Sequence, residues 1–131
     1  MMDWITKWFK PEPPRDALGQ RGENVAARYL RDQGFKILER NFRCEVGEVD
    51  IIARDGKTLV FAEVKTREQD DPTPEDQVNR DKRHQLTKAA KFYLSRYPAL
   101  PAARFDVVAV VWPAGRAPVI RHTVDAFTAT F

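Results

Sequence analysis

Residues 45–66 constrain the fold of this chain more than any other stretch. Two runs rich in β-branched and apolar residues, Glu45–Ala53 and Thr58–Thr66, flank the tetrapeptide Arg54-Asp55-Gly56-Lys57. Strand-like runs on either side of an Asp-Gly pair predict an antiparallel hairpin with a tight turn. Inside these runs stand Glu48, Asp50, Glu63 and Lys65. Strands bury one or both faces, so charges at those positions cost free energy unless something compensates them. With Asp55 and Gly56 as the two turn residues, Arg54 faces Lys57, Glu48 faces Glu63 and Asp50 faces Phe61. Residues opposite one another, or two apart along a strand, share a face. The four charged residues therefore converge on one side, with Asp50 and Glu63 as diagonal neighbours roughly 7 Å apart at Cβ. Val49, Ile51, Val60, Ala62 and Val64 are predicted to form the core face on the other side.

Two carboxylates at such a separation can close on one divalent cation. Hard oxygen donors favour Mg²⁺ or Mn²⁺ over zinc, and no Cys/His cluster in the sequence argues otherwise. Without a cation or Lys65 nearby, the facing acids would repel and one would be pushed towards protonation. A plainer reading stays open, in which these are alternating polar positions on a solvent-facing side of a hairpin. Glu23 adds a further acid at the boundary of a helix face. It reads as a solvated edge residue or, if that helix packs beside the hairpin, as a group holding a second ion or a water.

The rest of the chain supplies the frame. Leu18, Gly22, Val25, Ala26, Tyr29 and Leu30 recur at three- and four-residue steps, predicting a helix over 16–33 that stops at Gly34. Residues 36–43 read as a first strand. After the hairpin comes an acidic, proline-marked loop over 68–76, then a helix over 78–97 with Leu86, Ala89, Ala90, Tyr93, Leu94 and Tyr97 on its apolar face. Phe105–Trp112 is a strand apolar on both sides, which predicts an interior position in the sheet. A short final strand is expected near Val119–His122. The order α-β-β-β-α-β-β in 131 residues predicts one mixed α/β domain over 16–131.

Residues 1–15 stand apart as a tail. Trp4, Ile5, Trp8 and Phe9 share a helical face that Pro11, Pro13 and Pro14 terminate. This segment is expected to pack on its own domain or stay mobile, and membrane contact is not the expectation. Cys44 is the only cysteine, so no intrachain disulfide can form, and it reads as a small buried or half-buried side chain. No apolar run approaches the roughly 18 residues a membrane span needs, and no cleavable signal pattern is evident. The expected location is cytoplasmic. His84 and His122 read as ordinary surface or helix residues. The net charge of +3 is too small to name a partner. Between Gln77 and Arg104, however, seven basic residues stand against Asp81 alone, a stripe of the kind that follows phosphates or forms a solvated helix face.

Several of these segments carry a resemblance. Gly22-Glu23 with Ala26 and Tyr29-Leu30, then Gly34-Phe35, Ile37-Leu38 and Asn41-Phe42-Arg43, lead into Gly47-Glu48-Val49-Asp50-Ile51-Ile52-Ala53. Leu59-Val60-Phe61-Ala62-Glu63-Val64-Lys65-Thr66-Arg67 follows, then Lys82, Ala89-Ala90, Tyr93-Leu94, Arg104-Phe105-Asp106-Val107-Val108 and Ala126-Phe127. Over about residues 16–128 these closely resemble the YraN family of small bacterial proteins. That family is regarded as similar to archaeal Holliday-junction resolvases within the PD-(D/E)xK, restriction-endonuclease-like nucleases. The resemblance implies an α-β-β-β-α-β core with a mixed sheet flanked by helices. It implies Asp50 and Glu63 as metal ligands, Lys65 as the motif lysine and Glu23 as the helix-one glutamate. Val49 replaces the motif's proline, which contributes no chemistry.

The expectation is thus a metal-dependent endodeoxyribonuclease acting on branched or otherwise structured DNA. Asp50, Glu63 and the Val64 carbonyl would hold Mg²⁺ or Mn²⁺, Lys65 would act on the scissile phosphate or its attacking water, and Glu48 and Glu23 would support them. Arg80, Lys82, Arg83, Lys88 and Lys91, with Arg43 and Arg67, would contact the phosphate backbone. A two-fold dimer would suit the two symmetric strands of a four-way junction. The competing expectation is a nucleic-acid-binding or assembly module that keeps the fold and does not cut.

Overall fold

The computed structural model describes residues 17–129; the aromatic face read from Trp4, Ile5, Trp8 and Phe9 lies outside them. Helix α1, Ala17–Asp32, buries Gly22, Glu23, Ala26, Ala27 and Leu30, the recurrence that one buried helix face requires. It ends where Gly34 takes a φ of 94° and the Phe35 N–H returns to the Leu30 carbonyl at 3.0 Å. Strands β1 (Lys36–Cys44), β2 (Gly47–Asp55) and β3 (Thr58–Arg67) follow in antiparallel succession. A 3-10 turn at Pro74–Gln77 leads to helix α2, Arg80–Leu94, and then to β4 (Ala103–Val111) and β5 (Val119–Phe127). The sheet order is β1-β2-β3-β4-β5, and β3 with β4 is the one parallel pair. Parallel neighbours need a crossover connection, and α2 lies within it.

The element order is the predicted one, and the α/β arrangement is consistent with a restriction-endonuclease-like core. As its two-sided apolar pattern required, β4 is interior, between β3 and β5. The last strand is longer than expected and continues past His122 to Phe127.

Both faces of the sheet are covered. Ala26, Ala27 and Leu30 of α1 pack with Ile51, Ala53, Val60, Ala62, Val108 and Val110. Leu86, Ala89, Ala90 and Tyr93 of α2 pack with Val49, Ile52, Leu59, Phe61, Phe105 and Val107 on the opposite side. Alternate residues of β3 and β4 thus enter different cores.

The structure corrects two details of the hairpin. The last β2–β3 pair is Asp55 with Thr58, so the turn residues are Gly56 and Lys57. Gly56 has a φ of 60°, fitting the glycine that a type II′ turn places first. The Asp55 carboxylate accepts from Arg104 of β4 at 3.1 Å. The register slips by two residues, which preserves faces and changes partners. The β2–β3 ladder ends at Ile51 with Ala62, short of the charged residues. The second correction concerns Val49, which joins the α2 core whereas Ile51 joins the α1 core. Across this point Arg40 pairs with Ile51 and Phe42 with Val49, while Asn41 between them takes a φ of 55°.

His122 is also not the ordinary surface residue expected. Its Nε2 lies 2.8 Å from Oδ2 of the fully buried Asp106. Burial pushes the Asp106 carboxyl pKa upward, but bonds from His122, Arg104 and the Asp125 amide outweigh this and hold it below the usual range. This cluster ties β4 to β5.

Helix α1 approaches β3 as closely as its sequence allows. A Cβ on Gly22 would lie 1.9 Å from Thr66 Oγ1. Gly22→Ala is therefore expected to force the two elements apart and lower the unfolding free energy by about 1–3 kcal/mol. Urea denaturation should register this as an earlier midpoint.

Candidate active site at the β2–β3 strands

The charged face of the hairpin is an enclosed place. Glu63 is only 2% exposed and lines a cleft of about 640 Å³. The floor is β2 and β3, with Glu48, Asp50, Glu63, Val64 and Lys65 lining it. One wall is α1, through Leu18, Gly19 and Glu23. Another is the loop after β3, where Glu68 and Asp71 line the cleft. Arg121 of β5 anchors that loop through Asp70 at 2.6 Å and Glu75 at 2.8 Å.

Local chain geometry positions each group. Past the end of the β2–β3 ladder, the Asp50 carboxylate accepts the Val64 N–H at 2.8 Å, satisfying a backbone donor and fixing its own direction. Lys65 places its ammonium 3.6 Å from Glu63 Oε2. Lys82 of α2 places a second ammonium 3.5 Å from the same oxygen. The other oxygen, Glu63 Oε1, is buried with no hydrogen-bond partner.

Several expected roles are altered by this placement. Glu23 is fully buried rather than a solvated edge residue, and it pairs with Arg40 of β1 at 3.1 Å while still lining the cleft. Glu48 pairs with Arg43 at 3.5 Å, which makes Arg43 a half-buried partner of the site. Arg67 lines the cleft and donates to Gln77 and to the Thr66 carbonyl. Arg83 is exposed, but its Nε donates to the Val78 carbonyl at 2.9 Å and its guanidinium lies over Phe127. Arg80, Lys88 and Lys91 are exposed on α2 and do not line the cleft.

Lys82 was grouped with those surface cations by charge. Its helical phase says otherwise, since it stands four residues before Leu86 and shares the buried face with Ala89 and Tyr93. The Arg121 anchor, by contrast, left no local signal, because its partners lie some fifty residues away.

Among the described residues, no three His, Cys, Asp or Glu side chains are grouped to bind a metal. The available donors are the Asp50 and Glu63 carboxylates and the Val64 carbonyl. These fit a hard divalent cation on one count in particular: the orphaned, buried Glu63 Oε1 is an acceptor that such an ion would satisfy.

Without a cation, the Glu63 carboxyl pKa is raised from 4.5 to about 8, chiefly by burial and next by the Asp50 carboxylate, against the pull of Lys82 and Lys65. A raised acid pKa means that the folded state holds the proton more tightly than the unfolded state. Its stabilising contribution is therefore complete below pH 4.5 and is lost as pH rises to about 8. In chelator, the melting temperature of the wild type is expected to carry this declining component. Glu63→Gln, which cannot ionise, should remove it and melt higher at the alkaline end. Parallel slopes for the two proteins in thermal scans across this range would contradict the assignment.

Comparison with other proteins places this geometry in a family. The sequence model described as "Uncharacterised protein family UPF0102" matches residues 22–110, a span that contains Glu23, Asp50, Glu63, Lys65 and Lys82. A UPF0102 protein of Geotalea uraniireducens is 50% identical over 113 residues, covering 85% of this chain and 89% of its own length. One from Geobacter sulfurreducens is 50% identical over 112 residues, covering 84% and 88%. A more distant relative, from Nocardia farcinica, is 44% identical over 115 residues, covering 86% and 91%. The chain belongs to the UPF0102 family, the YraN family that its motifs resemble.

Proposed function

We propose that this protein is a divalent-metal-dependent endonuclease that hydrolyses phosphodiester bonds in DNA, with branched DNA such as four-way junctions as the substrate. One observation carries the reading. Asp50, Glu63 and Lys65 meet in a single cleft, and a buried Glu63 oxygen there lacks any partner. A surface hairpin with alternating charges would not bury its acid or leave it unsatisfied.

In the hydrolysis, a water oxygen bonds to phosphorus, one ester P–O bond breaks, and the departing oxygen takes up a proton. Bound Mg²⁺ or Mn²⁺ would polarise the phosphate and lower the pKa of a water. Asp50, Glu63 and the Val64 carbonyl would hold the ion. Lys65 would offset the charge that grows on the non-bridging oxygens in the transition state. Glu48 and Glu23, fixed by Arg43 and Arg40, would order the groups around them. Exposed Arg80, Lys88 and Lys91 would follow the backbone without reading sequence.

The charge of the cleft bears on binding. Six carboxylates (Glu23, Glu48, Asp50, Glu63, Glu68 and Asp71) line it with Lys65, Arg67 and Lys82, and Arg40 and Arg43 pair with two of them. A divalent ion held by Asp50 and Glu63 would give an entering phosphate a positive partner, so Ca²⁺ is expected to tighten DNA binding relative to chelator. Fluorescence anisotropy on a labelled junction checks this.

Cleavage itself is tested on supercoiled plasmid and synthetic junctions with Mg²⁺, Mn²⁺ or chelator. Wild-type protein should cut only with metal and should cut junctions faster than linear duplex. Asp50→Ala and Lys65→Ala should each slow cutting by ~100-fold or more while still binding DNA. Wild-type protein that binds junctions and never cuts them would favour a non-catalytic binding module instead.

A further inference from the structure

Lys82 stands apart from the other cations of α2. It lies on the buried side of the helix, four residues before Leu86, whereas Arg80, Arg83, Lys88 and Lys91 are exposed. Its backbone is held by the helix cap, since its N–H donates to the Asn79 side chain at 3.0 Å. Its ammonium and that of Lys65 approach the same Glu63 oxygen, at 3.5 and 3.6 Å, and both residues line the cleft with side chains 22% exposed. The two cations therefore occupy one side of the carboxylate, and the orphaned Oε1 is left to the other.

An ammonium carries three N–H donors, and Glu63 Oε2 cannot satisfy six. The remaining donors belong to side chains that border the cleft. Neutralising Glu63 does not explain two lysines either, because a divalent ion held by the same carboxylate would already offset its charge. A pair of ammonium groups beside such an ion matches a phosphodiester, which presents two non-bridging oxygens sharing one negative charge.

We infer that Lys82 is a second catalytic lysine of the cleft, contacting the scissile phosphate together with Lys65, and is not one of the cations that track the DNA backbone. The inference rests on the phosphodiesterase reading above and adds a group from a different element. In the hydrolysis already described, Lys82 takes no proton and forms no bond. It shares with Lys65 the negative charge that accumulates on the non-bridging oxygens. Because Lys82 lies in the first turn of the helix that carries Arg80, Lys88 and Lys91, DNA docking on the outside of α2 would bear directly on the reacting phosphate.

Three variants test this in the full-length protein. Lys82→Met keeps the aliphatic stem without the charge, Lys82→Arg keeps the charge, and Lys57→Met at the far hairpin turn serves as the control. Single-turnover cleavage at saturating Mn²⁺ and junction DNA should slow by ~100-fold for Lys82→Met, recover in part for Lys82→Arg and stay unchanged for the control. The junction dissociation constant should hardly move, which separates a reaction-centre role from a docking role. In a second arm without cleavage, a 5′-phosphorylated dinucleotide is titrated by calorimetry in Ca²⁺. Lys82→Met should weaken its binding by ~10-fold.

Equal rates and equal dinucleotide affinity in wild type and Lys82→Met would overturn the inference, as would wild-type protein with no affinity for the dinucleotide. A slower rate with unchanged dinucleotide affinity would make Lys82 a positioning residue for Glu63 and overturn the phosphate contact. Wild-type protein that binds the dinucleotide through Lys82 but never cleaves DNA would remove the nuclease reading and leave the phosphate contact standing.

Discussion

A carboxylate in the middle of a strand that is covered on both sides is the constraint around which this protein is arranged. Glu63 belongs to β3, whose neighbours Phe61 and Ala62 enter the cores under α2 and α1 respectively. Leaving an acid there unpaired would cost several kcal/mol. The compensation comes from two elements, Lys65 from the same strand and Lys82 from the crossover helix, while the nearby Asp50 carboxylate works against it. The compensation is incomplete, because one Glu63 oxygen has no partner. Sites that retain such a deficit are commonly functional, since the missing partner can be a ligand.

What could be read from the sequence divides along the range of the interactions involved. Element order followed from periodicity, and the shared face of Glu48, Asp50, Glu63 and Lys65 followed from strand alternation, both local properties. Alternation fails at Val49, yet the four residues still line one cleft, because the β2–β3 ladder ends at Ile51 and the Asp50 carboxylate takes the Val64 amide. The register itself was hidden, since an Asp-Gly pair reads as both turn residues, whereas Gly56 alone takes a positive φ and Asp55 stays paired with Thr58. The displacement of Val49 was likewise hidden, because strict alternation puts it with Ile51.

Burial of charge was the hardest property to foresee. Glu23 read as an edge residue because its helix neighbours were mixed, yet Gly22 brings α1 so close to Thr66 that the side chain beside it is enclosed. Its partner Arg40 sits on another strand and left no trace in local spacing. Lys82 is the opposite case. Its phase with Leu86 places it inwards, although it stands in sequence among cations that face solvent.

The two walls of the cleft are fastened by different physics. On the α1 side, Gly22 meets Thr66 with no room between them, so that boundary is set by hard-core repulsion and is insensitive to solvent. On the other side, the acidic loop is moored by Arg121 to Asp70 and Glu75, through side chains 26–48% exposed. Exposed ion pairs contribute little and weaken as ionic strength rises. The aperture of the cleft is therefore adjustable from one direction only, and a substrate too broad for it would be accommodated by unmooring the loop at Arg121, with the floor and the helix left in place.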